Sequence, residues 1–218
     1  MSEYFEKFVA PYPVKKYKAG ETIIFHSEVV QFSYCLYEGT IRVYSLNIDG
    51  EETNITYLQK HSFFPIEYIF GKTKASLFYF SAETDCSVAV IPTPDILNEM
   101  KTNVDLCSEL LDSIVTKYVA AEIHIQAIGQ THAREKIIYI LRYLVFRFGV
   151  ELADNKWLID FPLRQNEISN IIGVTRETTA TELNNLKRSG IISYKSFYYT
   201  VDMAMLNNLL GDKDEVNL

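Results

Sequence analysis

Between residues 163 and 192 the apolar positions follow the spacing of two short helices. Ile168, Ile171 and Ile172 fall at i, i+3 and i+4, one face of a first helix. Gly173 comes next, where a sharp bend favours the residue that has no Cβ. Thr175 offers an oxygen to cap a second helix, with Glu177 and Glu182 in or near its early turns. Thr179, Leu183 and Leu186 form the inner stripe of that helix, and Ser189-Gly190 closes it. Strand-like runs flank the pair. WLIDFPL (157–163) precedes it, and IISYKSFYYTV (191–201) comes after it as two strands around Lys195-Ser196.

Upstream the periodicity changes twice. Residues 1–15 read as a short helical lead-in broken by Pro11 and Pro13. From Val14 to Ile91 short β-branched and aromatic runs alternate with turns: TIIF (22–25), YCLY (34–37), IRVYSL (41–46), NITYL (54–58), LFYF (77–80) and CSVAVI (86–91). Gly20, Gly39 and Asp49-Gly50 punctuate them, the last as a hairpin signal, so an antiparallel barrel or roll is expected. Pro92 and Pro94 end this region, with Thr93 or Asp95 placed to cap a helix, and a helical period begins at about Asp95. Cys107, Leu111, Ile114, Tyr118, Ala121, Ile125 and Ile128 then alternate spacings of four and three, a heptad seam. Leu110, Val115, Val119 and Ile123 lie beside it and are expected to pack on the roll. A helix with two apolar flanks needs two partners, here its own domain and a second copy of the chain; the alternative is one helix buried across a single core. Gly129 and Thr131 interrupt it, and a further helix carries Ile137, Ile140, Leu141, Leu144 and Val145 to Gly149. The tail GDKDEVNL is polar and is expected to be mobile. The pattern therefore predicts an α+β chain: an antiparallel β-roll over 1–96, a long dimerisation helix over 97–131, and a winged helix-turn-helix over 132–218.

Composition narrows the class. The 218 residues allow one large domain or two ordinary ones, and 15 tyrosines with 13 phenylalanines can fill sizeable cores. No apolar run approaches the roughly 20 residues that span a bilayer, and the start MSEYFEKF has no signal-peptide pattern, so a cytoplasmic protein with no membrane partner is expected. Cys35, Cys86 and Cys107 are far apart with no CxxC spacing, which suits reduced packing residues. The net charge of −7 disfavours nucleic acid until it is divided along the chain. Residues 1–131 hold 10 Lys+Arg against 17 Asp+Glu, while residues 132–218 hold 11 against 11. Within 164–195 the count is 5 against 3, so the acidity lies away from the two short helices and non-specific affinity for phosphate is expected to be modest.

A compact helix, glycine turn and second helix is a DNA-reading motif. The order of roll, long helix and winged helix-turn-helix resembles the Crp/Fnr family of transcription regulators, from about Lys16 to Leu206. EISNIIGVTRET at 167–178 is similar to the family pattern E-I-x-x-x-x-G-x-[ST]-R-E-T. AREKIIYILRYLVFRFG at 133–149 resembles its first helix after the hinge, and YCLYEGTIRVY at 34–44 its glycine-centred roll strands. The resemblance implies a cyclic-nucleotide-binding-like roll and a homodimer on double-stranded DNA, with RNA polymerase as a further partner. It implies that Arg176 and Glu177 read bases, as a guanidinium can bond guanine O6 and N7 and a carboxylate can accept from cytosine N4. Gln165, Asn166 and Thr175 match positions that hold the motif on phosphates, and Lys195 in the wing can do the same. The chain departs where the family has a second arginine: Thr181 stands there, followed by Glu182, so a relaxed or different base preference is expected, with Thr181 against a thymine methyl.

The effector cassette departs further. In HSFFPIEYIFGKTKASLFYFSAE (61–83) Pro65 replaces the expected glycine, Glu67 is displaced by one, and Ser76-Leu77 stand where Arg-Ser/Thr should be. Without that arginine only Lys72 or Lys74 could balance a cyclic phosphate, so cyclic AMP is disfavoured. Iron–sulfur ligation lacks clustered cysteines, and His26, His61, His124 and His132 read as hydrogen-bonding residues before haem ligands. No cofactor or metal is expected. What remains is an aromatic cluster, from which Phe63, Phe64, Tyr68, Phe78, Tyr118 and Glu122 are candidates for an effector pocket. An effector other than cyclic AMP, or none, is the expectation. The rival is a ligand-binding or protein-interaction module whose helix-turn-helix no longer reads DNA. No nucleophile–base pair, phosphate-binding glycine loop or metal spacing suggests an enzyme.

Overall fold

A computed structural model of the chain describes residues 3–211; most of the polar tail expected to be mobile lies outside them. The chain divides into two compact units, Met1–Ile114 and Val115–Leu218. The first opens with α1 (Glu3–Val9), β1 (Val14–Tyr17), β2 (Thr22–Ile24), β3 (Ser33–Glu38), β4 (Ile41–Leu46) and β5 (Glu52–Leu58). It continues with β6 (Phe63–Phe64), α2 (Ile66–Ile69), β7 (Tyr79–Ala82), β8 (Cys86–Ile91), α3 (Thr93–Thr102) and the start of α4 (Val104–Ile128).

The strands make two antiparallel four-stranded sheets, ordered β1-β8-β3-β6 and β2-β7-β4-β5. Strand alternation sorts the side chains between two cores. Leu36, Phe64, Cys86 and Val88 of the first sheet meet Ile24, Ile41, Val43, Leu58, Phe80 and Ala82 of the second. On the other face of the first sheet Cys35, Phe63, Ala89 and Ile91 pack with Val9, Ile69, Ile96, Leu106 and Leu110 from the helices. A sheet buried on both faces needs continuous apolar strands, which explains CSVAVI. The close approach of β3 to β8 explains Gly39: at φ +87° a Cβ there would meet the Asp85 carbonyl and lie 2.7 Å from Cys86 Cβ. Asp49-Gly50 forms the β4–β5 turn as expected, with Asn47 Oδ1 accepting from the Asp49 and Glu51 amides, both at 2.9 Å.

Helical structure after the roll is broken once more than the periodicity suggested. α3 starts at Thr93 without a side-chain cap: the Thr93 hydroxyl bonds Ser33 Oγ at 2.7 Å, and Asp95 accepts from Tyr12 at 3.1 Å. Asn103 then separates α3 from α4, its Oδ1 accepting from the Leu106 amide at 3.0 Å as an N-cap does. Of the flanking residues expected to pack inward, Leu110 does so and Val115 does not, being half exposed; Leu106, Ala120 and Ala127 complete the buried positions of α4.

The second unit holds the rest of α4, then α5 (Ala133–Phe148), β9 (Gly149–Glu151), β10 (Lys156–Ile159), α6 (Gln165–Ile172), α7 (Arg176–Arg188), β11 (Ile192–Lys195), β12 (Tyr198–Asp202) and α8 (Met203–Leu210). α5 is apolar on nearly every side, with Ile137, Ile138, Ile140, Leu141, Leu144 and Val145 buried, so it is the central helix of this core. The sheet runs β11-β12-β10-β9, and β11 and β12 form the wing. Ser196 and Phe197 turn it with φ of 50° and 72°, the positive pair that a two-residue hairpin needs.

Candidate nucleic-acid interface

The two helices form as their sequence dictates. α6 is preceded by Arg164, whose amide is capped by the Glu167 carboxylate, and followed by Gly173 with φ +62°. Thr175 caps α7: its Oγ1 accepts from the Thr178 amide at 3.3 Å. Ile168, Ile171 and Ile172 of α6 and Thr179, Leu183 and Leu186 of α7 are buried together. Burying that stripe forces the opposite one outward, so Glu177, Thr181, Asn184 and Arg188 line the exposed face of α7, with Arg176 exposed at its first turn. The Thr181 hydroxyl does not stand free: it donates to the Glu177 carbonyl at 2.9 Å.

The wing closes one side of this face. An open cleft of about 580 Å³ is lined by Arg164, Gln165, Asn166 and Arg176 from the helices and by Tyr194, Phe197 and Tyr199 from the wing. It brings together three of the residues singled out from sequence, while Thr175 and Lys195 are exposed outside its lining. Arg164, Tyr194, Phe197 and Tyr199 complete the lining. Arg164 lies 5.8 Å from the centre of the Phe197 ring, and the Phe197 carbonyl accepts from the Leu163 amide at 2.9 Å. Lys187 stands 4.2 Å over the Tyr194 ring, whose hydroxyl donates to Asn184 Oδ1 at 3.2 Å. Burial pushes the Tyr199 phenol up to about 12, so it stays neutral beneath this surface. A basic residue immediately ahead of a helix was the available signal for Arg164. The wing aromatics needed the strand register.

Residues 14–103 match the cyclic nucleotide-binding domain model and residues 135–209 the Crp-like helix-turn-helix domain model. The chain belongs to the Crp/Fnr family. It is a DNA-binding transcription regulator of that type, with the roll, long helix and winged helix-turn-helix of its fold. The regulator is 25% identical over 192 residues to the global nitrogen regulator of Nostoc sp. (strain PCC 7120), covering 88% of this chain and 86% of that one. Its fold matches the cyclic nucleotide-binding domain containing protein of Listeria monocytogenes EGD-e with a TM-score of 0.76 at 19% identity, covering 92% and 95% of the two chains. FixK2 from Bradyrhizobium japonicum matches with a TM-score of 0.73 at 20% identity, covering 91% and 96%.

The regulator's seam residues lie on α4 with Leu111, Tyr118, Ala121, Ile125 and Ile128 exposed and Cys107 and Ile114 half-buried. Tyr118 is hydrogen-bonded to Glu122, which raises its phenol. The six candidates for an effector pocket do not hold as a set. Phe63 and Phe64 are 2% and 1% exposed and point to opposite faces of one sheet, each filling a different core. Consecutive strand residues cannot line one cavity from one side. Tyr68 and Phe78 pack against the inner core, and Tyr118 and Glu122 are exposed on α4. Ser76, where the family has an arginine, is buried and donates to the Phe78 carbonyl at 2.7 Å; Lys72 and Lys74 are exposed.

Proposed function

We propose that the regulator is a homodimer that reads a pseudo-palindromic operator through α7 of each copy, with half-sites about one helical turn apart. The observation that carries this is the opposition of stripes on α7, Thr179, Leu183 and Leu186 buried on one side and Glu177 and Thr181 exposed on the other, with Arg176 exposed at the first turn. In this reading Arg176 bonds a guanine and Glu177 accepts from a cytosine. Thr181, its hydroxyl engaged by the helix, presents a methyl to thymine. Gln165, Asn166, Thr175 and Lys195 hold phosphates, joined by Arg164, and set the register in which the bases are read. The seam of α4 pairs with its copy; exposed Leu111, Tyr118, Ile125 and Ile128 at heptad spacing support this. The roll answers to an effector other than cyclic AMP or to none, because Ser76 offers a phosphate no charge. RNA polymerase is the further partner and the cytoplasm the compartment.

Selection of bound DNA from a random pool tests the reading. Paired half-sites with a fixed guanine opposite Arg176 are expected, and a pool that enriches no paired motif overturns it. The dimer is checked separately by sedimentation, where Ile125→Glu converts a dimer to a monomer. A wild-type chain that sediments as a monomer at micromolar concentration defeats the seam.

A further inference from the structure

His124 sits on α4 between two surfaces, with buried Ala120 and Ala127 to one side and exposed Ile125 and Ile128 to the other. Its ring stacks on Tyr143 of α5 with centroids 5.2 Å apart. Its Nε2 lies 3.1 Å from the Ile171 carbonyl of α6. A carbonyl only accepts, so Nε2 carries the proton in this bond. The last carbonyls of a helix have no partner inside it, and α6 ends at Ile172, just before the turn into α7. Lys136 of α5 donates to the Ile172 carbonyl at 3.4 Å. The end of α6 is thus tied to α4 through one side chain and to α5 through another.

We propose that His124 is a positioning residue for DNA reading: its bond to Ile171 fixes α6 and α7 on the helix that forms the dimer seam, and so sets the half-site spacing that one dimer accepts. This rests on the dimeric reading above. Apolar packing between α5 and the two short helices is non-directional, so a small roll of the motif costs little buried area. A hydrogen bond from a ring clamped by a stack is directional and resists that roll. Two-fold symmetry repeats any rotation of α7 in the second copy, so a small change at the joint alters the span between the two reading helices. His124 itself touches no base, and its effect runs through α6.

The test uses the full-length protein on operators whose half-site spacing is varied one base pair at a time. His124→Phe keeps a ring against Tyr143 and removes the donor; His124→Gln restores a donor at the reach of Nε2 without the ring. The wild type is expected to show a sharp spacing optimum. His124→Phe should lower affinity at that optimum by about fivefold, the effect of one net hydrogen bond, with little change at other spacings. His124→Gln should recover most of the optimum. A His124→Phe profile as sharp as wild type overturns the proposal, as does a His124→Gln profile as flat as that of His124→Phe. Should His124→Phe fail to fold, His124→Leu, which also removes the donor, carries the test with the same two outcomes. A wild type that selects no paired half-sites refutes the dimeric reading instead, before any variant is made.

Discussion

The two units use the same kinds of side chain for opposite purposes. In the roll, Phe63, Phe64 and Phe80 are consumed by packing, because one sheet is covered by a second sheet on one face and by helices on the other. In the winged-helix unit only one side of α7 is covered, so its outer stripe remains available, and Tyr194 and Phe197 stand beside arginines around an open cleft. The difference is one of faces to be buried. Where every face is covered, a run of aromatics is core; where one is left open, aromatics and cations share an accessible surface.

The comparison breaks most visibly at Phe64. If it fills the core, Phe64→Ala should cost about 3–5 kcal/mol in urea unfolding of the roll, while the folded protein binds DNA as before. A cost below about 1 kcal/mol would mean that the ring lines a space, and an effector pocket at that position would return. On the open side, Arg176→Ala should lower discrimination at one base pair by about ten- to hundredfold in a mobility-shift titration, with sedimentation unchanged. Unchanged operator affinity would remove Arg176 from the reading set.

Legibility in the sequence tracks the range of the interactions. The helix-turn-helix is readable because Gly173, Thr175 and the apolar stripe act within a few residues of one another. The strands of the roll are readable from alternation, apart from β1, whose VKKY is mostly exposed, and β6, only two residues long. α8 also escapes, being a single short apolar run capped by Asp202 across a strand end. The pocket candidates fail because a cluster in sequence is not a cluster in space when adjacent strand residues diverge. His124 reads only as a hydrogen-bonding histidine, since its partner lies 47 residues away.

The cleft sharpens the comparison with a smaller effect. If Arg164 holds a phosphate rather than a base, Arg164→Ala should weaken binding by a similar factor on every operator variant. It should also reduce the salt slope by about one. Phe197→Ala should move affinity the same way by less, because the ring only braces the guanidinium. A loss confined to one base pair would reassign Arg164 to direct reading.

Thr181 provides the finest test, because its two functional groups can be separated. Its hydroxyl is bonded to the Glu177 carbonyl, leaving the methyl as the group with which it can meet a base. Thr181→Ser keeps the hydroxyl and removes the methyl. If the methyl rests against thymine, preference for thymine over cytosine at that pair should fall by about fourfold, the worth of one buried methyl group. Thr181→Val keeps a methyl and removes the hydroxyl, so it should retain the preference. Should Thr181→Val lose it and Thr181→Ser keep it, the hydroxyl must leave Glu177 when DNA binds. The open face of α7 would then be rearranged by its ligand, whereas the buried faces of the roll are set by folding.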